Sequence, residues 1–353
     1  MTIHDLRRER LAQQHLLQPA EPLTVAGDLC GIQAQFLSYA MHALRIRTTQ
    51  PSVDGLVKSW TLRGTMHLFP EGDLPLYFRR HGQPEDVTDT DWYRWSQTHG
   101  GVNPPEQEQY FARLITNAIA GGTDTREALR TLCREQGMTD TEEARLFHSW
   151  GGIIAELAQA GVLCFKVQEE KAYRLCPAFT PMDAHAAELE LAQRYFTHYG
   201  PATLRDAAYF FHATQAQVKH WLKELPVVSF TLEGREYFHI PTAAAQLDTP
   251  PCLLLAGFDP LLLGYRKEDN PFLPPEHLRK VFSLSGIVHP TILLNGRIVG
   301  RWKQKDGRLS LCLFEVISER DKRHVLDRAG QLWQLRRVDF TPADQSPGSP
   351  RPE

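Results

Sequence analysis

The chain has 353 residues, 42% of them hydrophobic and 23% charged, which excludes a disordered or fibrous protein and leaves enough apolar mass for several cores. No apolar run nears the roughly 20 residues of a membrane-spanning helix, and the N-terminus opens on the charged stretch 5–10 (DLRRER) instead of a signal-peptide core, so a cytoplasmic location is expected. Net charge is −3, but it is unevenly spread: residues 1–80 carry 9 Lys/Arg against 7 Asp/Glu, 81–258 carry 14 against 23, and 259–340 carry 15 against 10. A polyanionic partner would therefore be met by the two ends of the chain. Cys30, Cys133, Cys164, Cys176, Cys252 and Cys312 include no Cys-x-x-Cys pair and no Cys/His cluster at zinc spacing, so neither metal nor cofactor is expected.

In chain order, 5–17 predicts a first helix ended by Pro19 and Pro22, 24–32 a second, and the spacing of Phe36, Tyr39, Ala40, Ala43 and Leu44 a third, to about Arg47. A short helix over 53–60 and a strand over 65–69 complete the order of a winged helix-turn-helix. The pattern returns twice. Residues 107–137 predict two helices, 142–161 a long one and 162–175 a hairpin; 184–240 predicts three helices, the last capped by Thr214, and a hairpin turning at Glu233-Gly234. Beyond Pro250-Pro251 the runs are short and β-rich, with Asn295-Gly296 as a strong hairpin turn. The expected fold is α+β: winged-helix modules at 1–80, 81–182 and 183–249, a small β-barrel-like domain at 250–340 that hides its strand edges, and a disordered tail at 341–353.

Phosphate-loop, nucleophile-elbow and His-Glu-x-x-His signatures are all missing. Four segments stand out instead: 31–36 (GIQAQF), 60–69 (WTLRGTMHLF), 257–264 (GFDPLLLG) and 294–302 (LNGRIVGRW). Together, and in this order, they resemble the AlkZ/YcaQ family of winged-helix DNA glycosylases, over about residues 5–340. The resemblance implies three winged helices plus a β-barrel around a channel one duplex wide, with Gln33 and Gln35 as the catalytic pair. Gln, where the YcaQ branch has Asp, places the chain nearer the AlkZ branch.

The chemistry suits an amide. A purine alkylated at N7 or N3 is cationic and leaves as a neutral base, so no general acid is needed; a Gln can hold the attacking water and accept or donate hydrogen bonds, though it cannot remove a proton outright. Residues two apart diverge on a helix, so Gln33 and Gln35 must sit at a junction to act together. On residues alone, they are equally two surface glutamines. No lysine lies nearer the motif than Lys58, which fits a monofunctional enzyme without a Schiff base.

The expected DNA contacts are Arg63 beside Gly64, His67, and Arg297, Arg301 and Lys303, the last three alternating onto one face of the 295–303 hairpin. Asp259 is expected either as a carboxylate supporting the site or as the start of a turn. The expected partner is double-stranded DNA carrying alkylated bases, bulky adducts or crosslinks included, bound by a monomer. The competing reading is a non-catalytic winged-helix regulator, the commoner use of such modules.

Overall fold

The computed structural model describes residues 1–61, 64–78, 81–99, 103–148, 151–242 and 248–341; Arg63 and the expected tail from 342 onward lie outside them. The chain divides into two units, residues 53–191 in one and residues 1–52 with the chain from 192 onward in the other.

Residues 1–52 supply α1 (Ile3–Gln13), α2 (Pro22–Asp28), the two-residue β1 (Ile32–Gln33) and α3 (Leu37–Arg45). Helix α1 begins in a capping box: the Thr2 hydroxyl accepts the Asp5 N–H, and the Asp5 carboxylate accepts the Thr2 N–H.

The 53–191 unit holds β2 (Leu56–Trp60), β3 (Met66–Pro70), α4 (Leu74–Tyr77), α5 (Asp91–His99), α6 (Pro105–Ala120), α7 (Arg126–Glu135), α8 (Asp140–Leu146), α9 (Ile153–Gln159), β4 (Leu163–Phe165) and β5 (Tyr173–Leu175). Two helix expectations fail here. Residues 56–60 are a strand, because Val57 and Trp60 pair with Phe69 and Met66 while Lys58 faces Phe165 of β4. The single helix over 142–161 is two, α8 and α9. They part at Gly152, whose φ of 74° and whose approach to the Leu146 carbonyl (2.3 Å from a would-be Cβ) admit no side chain. The β4–β5 hairpin is as expected, and Phe111, Ile115, Leu129, Leu146 and Leu157 are among the residues of this unit's core.

The rest of the chain gives α10 (Ala184–His198), α11 (Leu204–Phe211), α12 (Gln215–Leu222), β6 (Val228–Leu232), β7 (Arg235–His239), β8 (Cys252–Leu255), α13 (Pro260–Leu263), α14 (Leu278–Val281), β9 (Thr291–Leu294), β10 (Arg297–Lys305), β11 (Arg308–Leu313), α15 (Glu319–Leu332) and β12 (Arg337–Thr341). Residues 184–240 follow the expected order of three helices and a hairpin. The expected barrel does not form: the last five strands make an open sheet, β12-β11-β10-β9-β8. The chain crosses over through α15 and lays β12 parallel to β11, which leaves β12 and β8 as the two ends of the sheet.

What joins residues 1–52 to the chain beyond 192 is polar as well as apolar. Leu11, Leu16 and Ile46 enter the core under the C-terminal sheet with Leu254, Phe258, Ile292 and Leu311. Arg10 lies 3.7 Å over the Tyr265 ring and donates twice to the Pro201 carbonyl (2.9 and 2.6 Å). Arg47 and Asp259, both with fully buried side chains, form a two-bond pair (3.1 and 2.7 Å), and Arg47 also donates to the Gln14 and Ala43 carbonyls. His42 donates Nε2–H to the Leu254 carbonyl (2.7 Å) and packs against Trp302 and Trp333.

Two outcomes follow. Asp259→Asn leaves the Arg47 charge buried without its carboxylate, so chemical unfolding should show a loss of about 3–5 kcal/mol; a loss under about 1 kcal/mol would show that the pair is not needed. Burial, ahead of every other cause, lowers the His42 pKa from 6.5 to about 4. The unfolded chain therefore takes up this proton first: the stability His42 contributes is complete above about pH 6.5 and is lost as pH falls toward 4, by about 3 kcal/mol in all. His42→Gln should flatten that part of the stability–pH curve, and an unchanged curve would contradict the assignment.

Candidate active site

The segment carrying the two glutamines is built by two local events. Helix α2 ends in a left-handed cap: Cys30 N–H bonds to the Gly27 carbonyl (3.0 Å) and Gly31 N–H to the Ala26 carbonyl (2.8 Å), with φ of 52° at Cys30 and 89° at Gly31. This reversal delivers Ile32–Gln33 as extended backbone. Three residues later Phe36 starts α3 and offers no side-chain acceptor to the helix's first N–H groups. Gln33 and Gln35 thus lie in the non-helical link between α2 and α3, the kind of junction their joint action requires.

Their surroundings differ. Gln33 is buried, 9% exposed, and its Oε1 has no protein hydrogen-bond partner among the described residues. Gln35 is exposed. Between them Ala34 is fully buried, which pins the segment to the core by its middle residue. Phe36, 42% exposed, stacks on Phe258 at 5.8 Å and meets Tyr39 at 5.7 Å.

The 257–264 motif lies behind α3. A Cβ on Gly257 would stand 2.6 Å from the Tyr39 ring, so glycine is what lets α3 approach. Asp259 does not face outward as a free carboxylate: it binds Arg47, accepts the Ala256 and Leu261 N–H groups, and starts α13. Its bond to Arg47 is its link to the end of α3.

The basic hairpin departs from expectation in one respect. Asn295 and Gly296 turn with φ of 48° and 77°, as the dipeptide predicts. A register shift between Ile298 and Gly300 then inserts a bulge. Arg297 pairs with Leu294 and Gly300 with Ile292, two residues apart on β9, so Arg297 shares the face of Gly300, while Arg301 and Lys303 take the other. The three cations do not form one row. Arg297 stands 3.9 Å from Glu276 and 3.7 Å from Glu315, Arg301 lies 6.0 Å from the Phe314 ring, and Lys303 is exposed. In the 53–191 unit, His67 is 7% exposed, with Nδ1 at 2.9 Å from both the Thr61 hydroxyl and the Thr65 carbonyl.

Sequence reading passed over a second basic feature. A cleft of about 300 Å³ is lined by His4, Asp5, Arg7, Arg8, Asn295 and Gly296 among others, with Arg8 3.6 Å from Asp5. Arg7 is held by two bonds to the Pro271 carbonyl (3.1 and 2.6 Å), and burial first, then the charge of Arg297, lowers its pKa. The Arg7-Arg8 pair on α1 was the signal for it. Gln33 and Gln35 do not line this cleft.

The chain is similar to known proteins over nearly its whole length. The family described as "DNA glycosylase AlkZ-like" matches residues 26–335. A protein of Streptomyces sahachiroi named "Interstrand DNA cross-link repair glycosylase" is 30% identical over 339 residues, covering 86% of this chain and 88% of the relative. The solved structure of the Streptomyces sahachiroi DNA glycosylase AlkZ superposes with a TM-score of 0.73 at 24% identity, over 97% of this chain and 99% of that one.

Proposed function

Because the chain belongs to the AlkZ-like DNA glycosylase family, and is thereby a DNA glycosylase that hydrolyses N-glycosidic bonds, we propose that its substrates are purines made cationic by alkylation at N7 or N3 in double-stranded DNA, and that Gln33 and Gln35 carry the hydrolysis.

The observation that carries this reading is the Gln33 side chain: a buried carbonyl oxygen whose lone pairs no donor among the described residues uses, in a non-helical link beside an exposed second glutamine. This oxygen is closed to solvent as it stands, so the reading requires DNA binding to admit a water to it. In the step proposed, the water adds to the sugar carbon C1′ as the C1′–N bond breaks. The bonding electrons go to the base and neutralise its positive charge, and the proton the water loses passes to solvent. The two amides align the water and leave base expulsion to the lesion's own charge. The site is therefore selective for activated bases, since it supplies no acid to an ordinary purine.

Three features support DNA docking, two of them at the link itself. Phe36 offers an apolar face to a nucleobase next to Gln35. The uncapped start of α3 suits a phosphate through its N–H groups and the helix dipole. Arg301 and Lys303 on one face of β10, with Arg7 and Arg8 on α1, supply cations for the backbone. The order α10-α11-α12 with the β6–β7 hairpin supports a winged helix at 183–249. His67, its ring engaged by Thr61 and Thr65, fits the ordering of its own strand better than a direct phosphate contact; Arg63 remains proposed as one. The relative's name extends the proposed substrates to interstrand crosslinks, and bulky adducts are proposed with them.

Release of 7-methylguanine from methylated duplex should fall by roughly 10²- to 10⁴-fold in the Gln33→Ala, Gln35→Ala double variant while affinity for undamaged duplex is kept; wild-type release rates in that variant would overturn the assignment. The paired change Arg301→Ala, Lys303→Ala should make the dependence of log affinity on log salt shallower, by about 1 for each phosphate no longer neutralised, with excision at saturating enzyme little altered. An unchanged slope would remove the hairpin from the interface.

A further inference from the structure

His15, Asp28 and His198 converge where α1, α2 and α10 all end. The ligand-type atoms of the three side chains lie within 4.8 Å of one another. His15 Nε2 is 2.8 Å from one Asp28 oxygen and His198 Nε2 is 3.4 Å from the other, each side chain between 16% and 26% exposed. The two imidazoles stack with centroids 5.8 Å apart.

With both rings neutral, hydrogen bonding leaves one contact of this cluster unmatched. His198 Nδ1 lies 3.1 Å from the Gln13 carbonyl, which can only accept, so Nδ1 carries the proton. In a neutral ring, Nε2 then turns a lone pair toward the Asp28 carboxylate, and two acceptors face each other. A second proton, on Nε2, would turn this contact into a hydrogen-bonded ion pair at the 3.4 Å seen. A cation between the two groups resolves the conflict without that proton. An Nδ1–H donated to a backbone carbonyl is also the usual way a metal-binding histidine is oriented.

A second observation concerns His15. It occupies the left-handed position that ends α1, with φ of 58°: its own N–H bonds to the Ala12 carbonyl and the Leu16 N–H to the Leu11 carbonyl, both at 3.0 Å. Glycine is the residue this backbone favours. An imidazole there is accounted for by what its ring does, and the ring faces Asp28.

We propose that His15, Asp28 and His198 form a binding site for a borderline divalent transition ion, zinc foremost, that clips the ends of α1, α2 and α10 together. Two imidazoles and a carboxylate are a donor set zinc accepts, and ligand bonds of roughly 2.0–2.2 Å call for donor atoms spaced close to the separations seen. The ion takes the place of the proton on His15 Nε2, which moves to Nδ1, so that all three donors present lone pairs to it. Arg194 is the opposing charge nearby; it donates to the Gly27 carbonyl at 3.1 Å. The site went unread in the sequence because its ligands, at 15, 28 and 198, share no spacing.

The test is titration of the full chain, stripped with a chelator, with zinc chloride by calorimetry, and X-ray absorption of the loaded protein. Expected are one zinc per chain, an edge spectrum showing imidazole nitrogen and oxygen without sulfur, and a raised melting temperature. His198→Ala and Asp28→Asn should each weaken binding by at least about tenfold. Binding that is equal in wild type and both variants, a sulfur shell from the cysteines, or no stoichiometric binding by wild type would each overturn the proposal. The wild-type spectrum decides the matter even if a variant fails to fold.

Discussion

Two side chains with no solvent exposure, Arg47 and Asp259, settle where the first 52 residues sit on the chain beyond 192. Neither charge would be tolerated there alone, and each is satisfied only when the end of α3 meets the start of α13. The pair is a device of register more than of net stability: an apolar pair could hold the same surfaces together, but not at one fixed offset. Arg10 does the same for α1, between the Tyr265 ring and the Pro201 carbonyl. With α3 fixed, and the end of α2 held by the Tyr199 hydroxyl donating to the Leu29 carbonyl (2.9 Å), the link that bears Gln33 and Gln35 is tied down at each end. Two amides can share the alignment of one small molecule only if their backbone does not wander.

The same anchoring explains why two of the motifs lie far apart in sequence. Residues 31–36 hold the glutamines, and 257–264 hold the glycine that admits Tyr39 and the aspartate that binds Arg47. The second motif meets α3 at Tyr39 and Arg47. Phe258, left-handed at φ 55°, carries its ring to the exposed Phe36, so a single strained residue joins the support to the surface.

Much of the fold could be read from the sequence wherever local chemistry decides local structure. Asn295-Gly296 and Glu233-Gly234 dictated their turns, and Thr214 dictated the start of α12. Reading failed where tertiary pairing overrode local preference. Residues 56–60 became a strand because β3 and β4 offered partners, and the 142–161 helix broke at Gly152 because the Leu146 carbonyl leaves no room for a side chain. The bulge at 298–300 separates Arg297 from Arg301 and Lys303 and has no mark in the alternation of the strand. The motif placed the glutamines at a helix junction, but it held no sign that Gln33 would be buried and Gln35 exposed, which depends on Ala34 meeting the core.

Whether the Gln33 and Gln35 amides jointly align the attacking water would be decided by a crystal structure of the protein bound to duplex DNA carrying a cationic pyrrolidine nucleotide, a mimic of the charged sugar. A water within about 2.7–3.2 Å of both side-chain amides, beneath the ring nitrogen, is the expected result. A mimic seated elsewhere, or glutamines that share no water below it, would contradict the joint role.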